Sequence, residues 1–198
     1  MIDLFFKAGF IKWPLILFSV VALAIFIEKW IMLARTQHGN NALISRLKPL
    51  IRTGGRESFS SFIAGSDGAL ANIVLSALNK PNRNDRIKAM EDRAEVEYHF
   101  MDAKLGVLST IASVGPLLGF FGTVLGIIQA FQKVEAAGGA VDPSLLAGGI
   151  WEALITSAGG LLIGIPCIFA HNFLLAKVDR IMNDMKVFCA DVVDFLSH

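Results

Sequence analysis

GGIWEALITSAGGLLIGIP, Gly148 to Pro166, holds a single carboxylate, Glu152, in a stretch that is otherwise free of Asp, Glu, Lys and Arg between Asp142 and Lys177. A charge in such a run is costly in lipid and in protein core alike, so Glu152 calls for a partner or a function. With its flanks the run reaches from 145 to 175, well beyond the ~20 residues that a membrane-crossing helix needs. Composition agrees, because 54% hydrophobic against 18% charged residues and a mean hydropathy of +0.59 are too apolar for an ordinary soluble domain.

Two further spans follow from the same criterion. Residues 10–33 form the first, bracketed by Trp13 and Trp30 as interfacial aromatic residues bracket a bilayer. This run ends in Glu28-Lys29-Trp30 where a cleaved leader would carry small residues, which favours a retained span over a signal peptide. Residues 105–131 form the second, uncharged between Lys104 and Lys133 and about 40 Å long as a helix.

Between the first two spans, residues 34–104 are polar and carry Arg35, Arg46, Lys48, Arg52, Arg56, Lys80, Arg83, Arg86, Lys88, Arg93 and Lys104. The basic residues nearest the spans, Lys29, Arg35, Arg93 and Lys104, set the orientation, so this block is expected on the cytoplasmic side. The segment 1–9 is then a short periplasmic amino terminus, 132–144 a periplasmic linker and 176–198 a cytoplasmic carboxyl-terminal helix. Lys7 and Lys12 pull mildly the other way. Within the block, Gly39-Asn40-Asn41, Gly54-Gly55, Gly65-Ser66-Asp67-Gly68 and Pro81-Asn82 predict turns that separate short helices over 42–51, 57–63 and 69–78. From Arg83 an amphipathic pattern of Ile87, Met90, Ala94, Tyr98, Met101 and Leu105 meets no stop signal, so one helix is expected to run on into the second span. After the third span, Val178, Met182, Met185, Cys189, Val192 and Leu196 form a similar stripe.

Small residues recur along both later spans. Gly115, Gly119, Gly122 and Gly126 make one ridge, and Gly149, Ala153, Ser157, Gly160 and Gly164 another. Such ridges let helices approach closely where no hydrophobic effect draws them together, so they are expected to pack on each other or on neighbouring subunits. Pro116 and Pro166 are expected to bend their helices. Glu152 lies about 100° from Ala153 around the helix, and Thr156 shares its face one turn on. Together with Thr123 and Ser157 these residues make a candidate ion path.

Several function classes lack their residues. No zinc, P-loop or dinucleotide motif is present, and the net charge of +1 offers nothing to nucleic acid. No nucleophile, base or paired-carboxylate arrangement accompanies Glu152, and His171 stands alone, so neither a catalytic site, a metal site nor a cofactor is expected. Cys167 and Cys189 read as packing residues. An all-α membrane protein of three transmembrane helices with long cytoplasmic helical extensions remains, acting as an ion path or as a membrane scaffold.

The stretches IASVGPLLGFFGTVLGIIQAF, 111–131, and GGIWEALITSAGGLLIGIPCIFAHN, 148–172, resemble the two signature membrane segments of the MotA/TolQ/ExbB proton-channel family, and IEKWIML resembles the end of its first span. GPLLGxxGTVxG together with EALIT is a specific combination, and three spans favour the ExbB/TolQ branch. The resemblance implies a homopentameric ring in the bacterial inner membrane. Its second and third spans would surround the single-span helices of an ExbD- or TolR-like partner, and the assembly would pass proton-motive force to a TonB- or TolA-like protein; Na⁺ in place of H⁺ stays open. It further implies that Thr123 and Glu152 are the pore threonine and glutamate, and that Ser157 stands where the family has a second pore threonine. The helix phase puts Ser157 on the packing ridge, so the two readings agree only if that ridge borders the pore.

Overall fold

The computed structural model describes residues 12–53, 55–136 and 143–197, with the side chains of 143–145 outside the description. The segment 1–9 and residues 137–142 of the linker 132–144 therefore lie outside the described residues, while 132–136 and 143–144 belong to helices. The chain is all-α, with α1 at Lys12–Thr53, α2 at Arg56–Ala64, α3 at Ala69–Leu78, α4 at Arg83–Asp102, α5 at Leu105–Ala136 and α6 at Pro143–Ser197. Three of these, α1, α5 and α6, are long and apolar enough to cross a membrane. The chain divides into two compact units, one holding residues 1–27 and 104–173, the other 28–103 and 174–198.

The span-bearing unit is built on α5 and α6. Leu108, Ile111, Ala112, Gly115, Gly119 and Gly122 are the buried side of α5, while Ala153 and Cys167 are buried on α6 and Leu15, Ala22 and Ile25 on α1. The opposite surfaces are strongly apolar. Leu117, Phe120, Phe121 and Phe131 of α5 and Trp151, Leu154, Leu162 and Phe169 of α6 are more than half exposed, a surface suited to lipid or to neighbouring subunits.

The second unit has the core of a water-soluble domain. Leu33, Leu47, Phe59, Ile63, Leu70, Ile73, Met101, Leu174 and Ile181 are almost completely buried. α3 is apolar around most of its circumference, as a central helix must be, with Leu70, Ala71, Ile73, Val74 and Ala77 buried. Gly68 introduces it at φ +121°, a conformation that a side chain would resist. The Phe59 and Phe195 rings meet with centroids 5.4 Å apart, tying α2 to the end of α6. Two buried charges are fully engaged: Arg86 donates to Lys80 O at 2.9 Å and to Leu196 O at 2.6 Å, and Glu97 accepts from Arg93 at 2.6 Å and Asn72 at 3.0 Å. Hydrogen bonds of this kind offset the cost of burying a charge.

Two expectations are corrected. Gly39-Asn40-Asn41 makes no turn, because α1 runs unbroken through it to Thr53. Leu33, Asn40 and Leu47 recur every seven residues on one buried face. Burying the two leucines at ~1.5–3 kcal/mol each outweighs a helix-propensity deficit of ~1 kcal/mol or less per residue at Gly39, Asn40 and Asn41. The second correction concerns α4, which does not continue into the next span. It ends at Asp102, Ala103 is extended at φ −48°, ψ 137°, and Lys104 takes φ +72° before α5 begins.

The break has a compensating contact. Lys29, 2% exposed, donates from Nζ to Phe100 O and Met101 O, both at 3.1 Å. In an unbroken helix those carbonyls would accept from the backbone of residues 104 and 105. The ammonium takes that place and sits at the helix end where the backbone dipole favours a cation. α6 shows the other outcome, remaining one helix of 55 residues through the end of its apolar run and on along the stripe of Val178, Met185, Cys189, Val192 and Leu196.

Candidate functional site

The two small-residue ridges meet each other within one chain. A Cβ built on Gly160 would lie 2.5 Å from Gly115 O and 2.8 Å from Gly119 Cα, and one on Gly119 would lie 3.0 Å from Ser157 O. Further along the seam, a Cβ on Gly126 would lie 2.8 Å from Ala153 Cβ, and one on Gly149 would lie 2.5 Å from Ala130 Cβ. Backbones this close leave room for hydrogen alone, which is the physical reason for glycine at these positions.

Both prolines stand inside continuous helices, Pro116 in α5 and Pro166 in α6. Pro116 has no N–H, so Ala112 O loses its usual helical donor. That carbonyl and the proline ring both abut Gly164, where a Cβ would lie 3.0 Å from Ala112 O and 2.5 Å from Pro116 Cγ. The glycine of one helix thus accommodates the proline of the other. Pro166 is exposed.

The polar residues lie along this seam. Thr123 is half-buried, and its Oγ1 is 3.3 Å from Gly119 O and from Ala153 O, on both helices at once. Ser157, also half-buried, is one turn beyond Ala153 and has its backbone against Gly119. Thr123 and Ser157 therefore occupy successive turns of the same crossing, with the ridge as their immediate surroundings. Ser157 thus stands on the packing ridge, where the helix phase puts it.

Thr156 is set apart. It is only 5% exposed and donates to Glu152 O at 3.0 Å, so its hydroxyl is satisfied within its own helix. Glu152 is half-buried, one turn earlier on that face. The arrangement offers hydroxyls and a carboxylate strung along a close-packed helix pair. Among the described residues, no group of three His, Cys, Asp or Glu stands close enough to hold a metal ion.

The sequence marks Lys29 only as one of the basic residues that set orientation, and not as a contact residue. Its signal was available: a cation in the last turns of an apolar run, three residues before Met32, whose sulfur also lies 4.0 Å from Nζ. What it would touch, a helix end 71 residues away, was not.

Comparison with known proteins places these features. Residues 66–187, which include the seam and its polar residues, match the MotA/TolQ/ExbB proton channel family. The chain is 29% identical over 190 residues to the ExbB-like 1 protein of Synechocystis sp., covering 92% of this chain and 74% of that one. It is 39% identical over 88 residues to biopolymer transport protein exbB1 of Vibrio cholerae, covering 44% of this chain and 39% of the relative. With the Tol-Pal system protein TolQ of Haemophilus influenzae it shares 36% identity over 110 residues, 56% of this chain and 48% of the relative. With three apolar helices of spanning length and this match across more than half its residues, the chain is a multi-pass membrane protein that belongs to the MotA/TolQ/ExbB proton channel family.

Proposed function

We propose that this chain is the ring-forming, non-enzymatic subunit of a proton-driven motor in the bacterial inner membrane. Five copies surround the single transmembrane helices of an ExbD/TolR-like partner, with the amino terminus periplasmic and the carboxyl terminus cytoplasmic. The spans are 10–33, 105–131 and 145–175. The motor passes proton-motive force to a TonB-like protein and so energises transport across the outer membrane.

One observation carries the reading: the Thr123 hydroxyl sits between carbonyls of two helices on a glycine-lined seam, a turn from Ser157. Thr123, Ser157 and Glu152 keep a narrow path hydrated beside a partner carboxylate, while Thr156 supports the helix at Glu152. Protonating the partner carboxylate removes its charge and frees its helix to turn against the apolar wall. The membrane potential supplies ~2.3 kcal/mol per charge per 100 mV to that cycle. The match to TolQ favours a second assignment of the same machine, a TolQ-like motor serving the cell envelope through a TolA-like protein.

Thr123→Val tests the path, because valine keeps the volume and removes the hydroxyl. Proton flux into vesicles holding this chain with its single-span partner is expected to fall at least tenfold while the purified particle keeps its size. Undiminished flux removes Thr123 from the path. Absence of flux in the parent assembly as well supports a scaffold in place of a channel.

A further inference from the structure

The second unit carries an open groove between α4 and α6. Arg83 pairs with Asp194 at 3.0 Å, and Tyr98 feels the charge of Asp179, so the two helices run antiparallel with Glu91 and Lys186 facing each other midway. Between them lies an apolar cavity of about 540 Å³, lined by Ile73, Met90, Met182 and Met185, with the small Ala94 and Ala190 opening its two sides. Methionine has an unbranched, adaptable side chain that moulds to an apolar guest.

The edges of the groove are charged. Ile87, Glu91, Ala94, Tyr98 and Asp102 recur at spacings of three and four along α4, and Asp179, Asn183, Lys186 and Ala190 do so along α6, so each set forms one edge. Arg83 and Asp194 neutralise each other at one end. Of the other edge charges, Glu91, Asp102 and Asp179 are carboxylates and Lys186 alone is basic, and none of the four forms an ion pair among the described residues. The Tyr98 phenol is pushed above its ordinary value by burial and then by Asp102 and Asp179. The edge as a whole is acidic.

That sign selects the occupant. An anionic lipid would set its headgroup against three carboxylates. A second copy could offer the exposed apolar residues of this unit, but Val96 and Phe100 stand beside Asp92 and Glu95, and Val187 lies between Asp184 and Asp191 with Arg180 the one base on its face. A basic segment suits the edge, and the cytoplasmic flanks of membrane spans are enriched in lysine and arginine. The run from Ile87 to Ala94 is about 10 Å long, the distance covered by apolar anchors at i, i+3 or i+4, and i+7 of a docked helix. From the end of α4 at Asp102 to Glu91 is about 16 Å, which about 11 residues of helix cover.

We infer that this groove receives a basic amphipathic helix, the cytoplasmic tail of the single-span partner, with its apolar side chains among the methionines and its lysines or arginines on Glu91, Asp102 and Asp179. Complementary charge orients such a helix and rejects acidic competitors more than it adds affinity. The choice of partner rests on the motor proposed above.

The test uses the full-length chain in uncharged phosphatidylcholine nanodiscs and a labelled helical peptide of about 16 residues, with leucines spaced by three and four and lysines elsewhere. The same peptide with glutamate for lysine, and palmitate, serve as competitors. The lysine peptide is expected to bind about tenfold more tightly than the glutamate peptide, and Glu91→Lys to weaken it about tenfold. Ala190→Trp, which fills the groove from one side, is expected to abolish binding while particle size and melting temperature are kept. Ala94→Trp repeats the test from the other side. Equal binding of the two peptides, or binding indifferent to both tryptophans, overturns the groove as a helix site. Displacement of the lysine peptide by palmitate assigns the groove to a lipid chain and overturns it too.

A photoreactive phenylalanine analogue in place of Ala190, in the chain co-expressed with its single-span partner, identifies the occupant. A crosslink to the partner's cytoplasmic tail is expected. A crosslink to another copy of this chain, or none although the partner copurifies, overturns the assignment and leaves the motor standing. A partner that fails to copurify overturns both, while the peptide measurement still decides whether the groove takes a basic helix.

Discussion

The two units of this chain hold their helices together by opposite means. In the span-bearing unit α5 meets α6 through atoms that are missing, with Gly115, Gly119, Gly126, Gly149, Gly160 and Gly164 bringing backbone against backbone. In the other unit the contacts are large side chains, Phe59, Leu70, Met101, Leu174 and Ile181 among them, each at most 2% exposed. Lipid tails are as apolar as leucine, so burying a leucine in the bilayer gains little, and close approach has to supply the attraction. In water the transfer of apolar surface dominates, and bulk is favoured.

That contrast can be broken by substitution. The largest effect is expected from Phe59→Ala, which removes a fully buried ring that packs on Phe195 and should destabilise the second unit by ~3–5 kcal/mol. Hydrogen exchange should rise across α2, α3 and the end of α6 and stay unchanged in the seam of α5 and α6. A uniform rise would mean that the units do not respond separately.

Gly160→Ala comes next, since one added carbon meets Gly115 O and Gly119 Cα. Overpacking of this kind costs ~1–3 kcal/mol, read as a lower unfolding midpoint in detergent. Tolerance of alanine there, combined with intolerance at Phe59, would confine the tight packing to the other glycines.

Lys29→Met keeps the length and apolar stem of the side chain but leaves Phe100 O and Met101 O without their donor. A cost of ~1–3 kcal/mol is expected, with the exchange increase centred on the last turn of α4. An unchanged last turn would show that Lys29 does not hold the break at Ala103 and Lys104.

The smallest effect concerns Cys189. Burial pushes its thiol up to about 12 from an ordinary 9.0. Maleimide labelling at pH 7 is therefore expected only after unfolding. Because the raised value favours the protonated folded form, the associated stability is complete below pH ~9 and is lost as pH climbs towards 12. Rapid labelling of the folded chain would place Cys189 outside the core.

Both ridges were legible as periodicity: glycines every three or four residues need no tertiary information to be recognised as one face. Which ridge served which was not legible, because a face that can receive a neighbouring helix can equally receive a neighbouring subunit. The turn expected at Gly39-Asn40-Asn41 illustrates the limit of local propensity. Its three residues favour a turn by small amounts each, while Leu33 and Leu47 settle the matter through a core assembled from distant segments. Asn40, carried into that core by the helix, leaves its Nδ2 without a hydrogen bond among the described residues, a local loss that the flanking leucines outweigh.

Apolar run length and small-residue spacing were determined by the sequence alone, because each depends on residues that are neighbours along one helix. Membership of the proton-channel family followed from motifs of the same local kind. Tertiary structure decided where helices end and what satisfies their ends. Lys29 reaches the carbonyls of Phe100 and Met101, and Arg86 reaches that of Leu196. The physical reason is that an unsatisfied helix end accepts any well-placed donor, and placement across 71 or 110 residues exists only once the chain has folded.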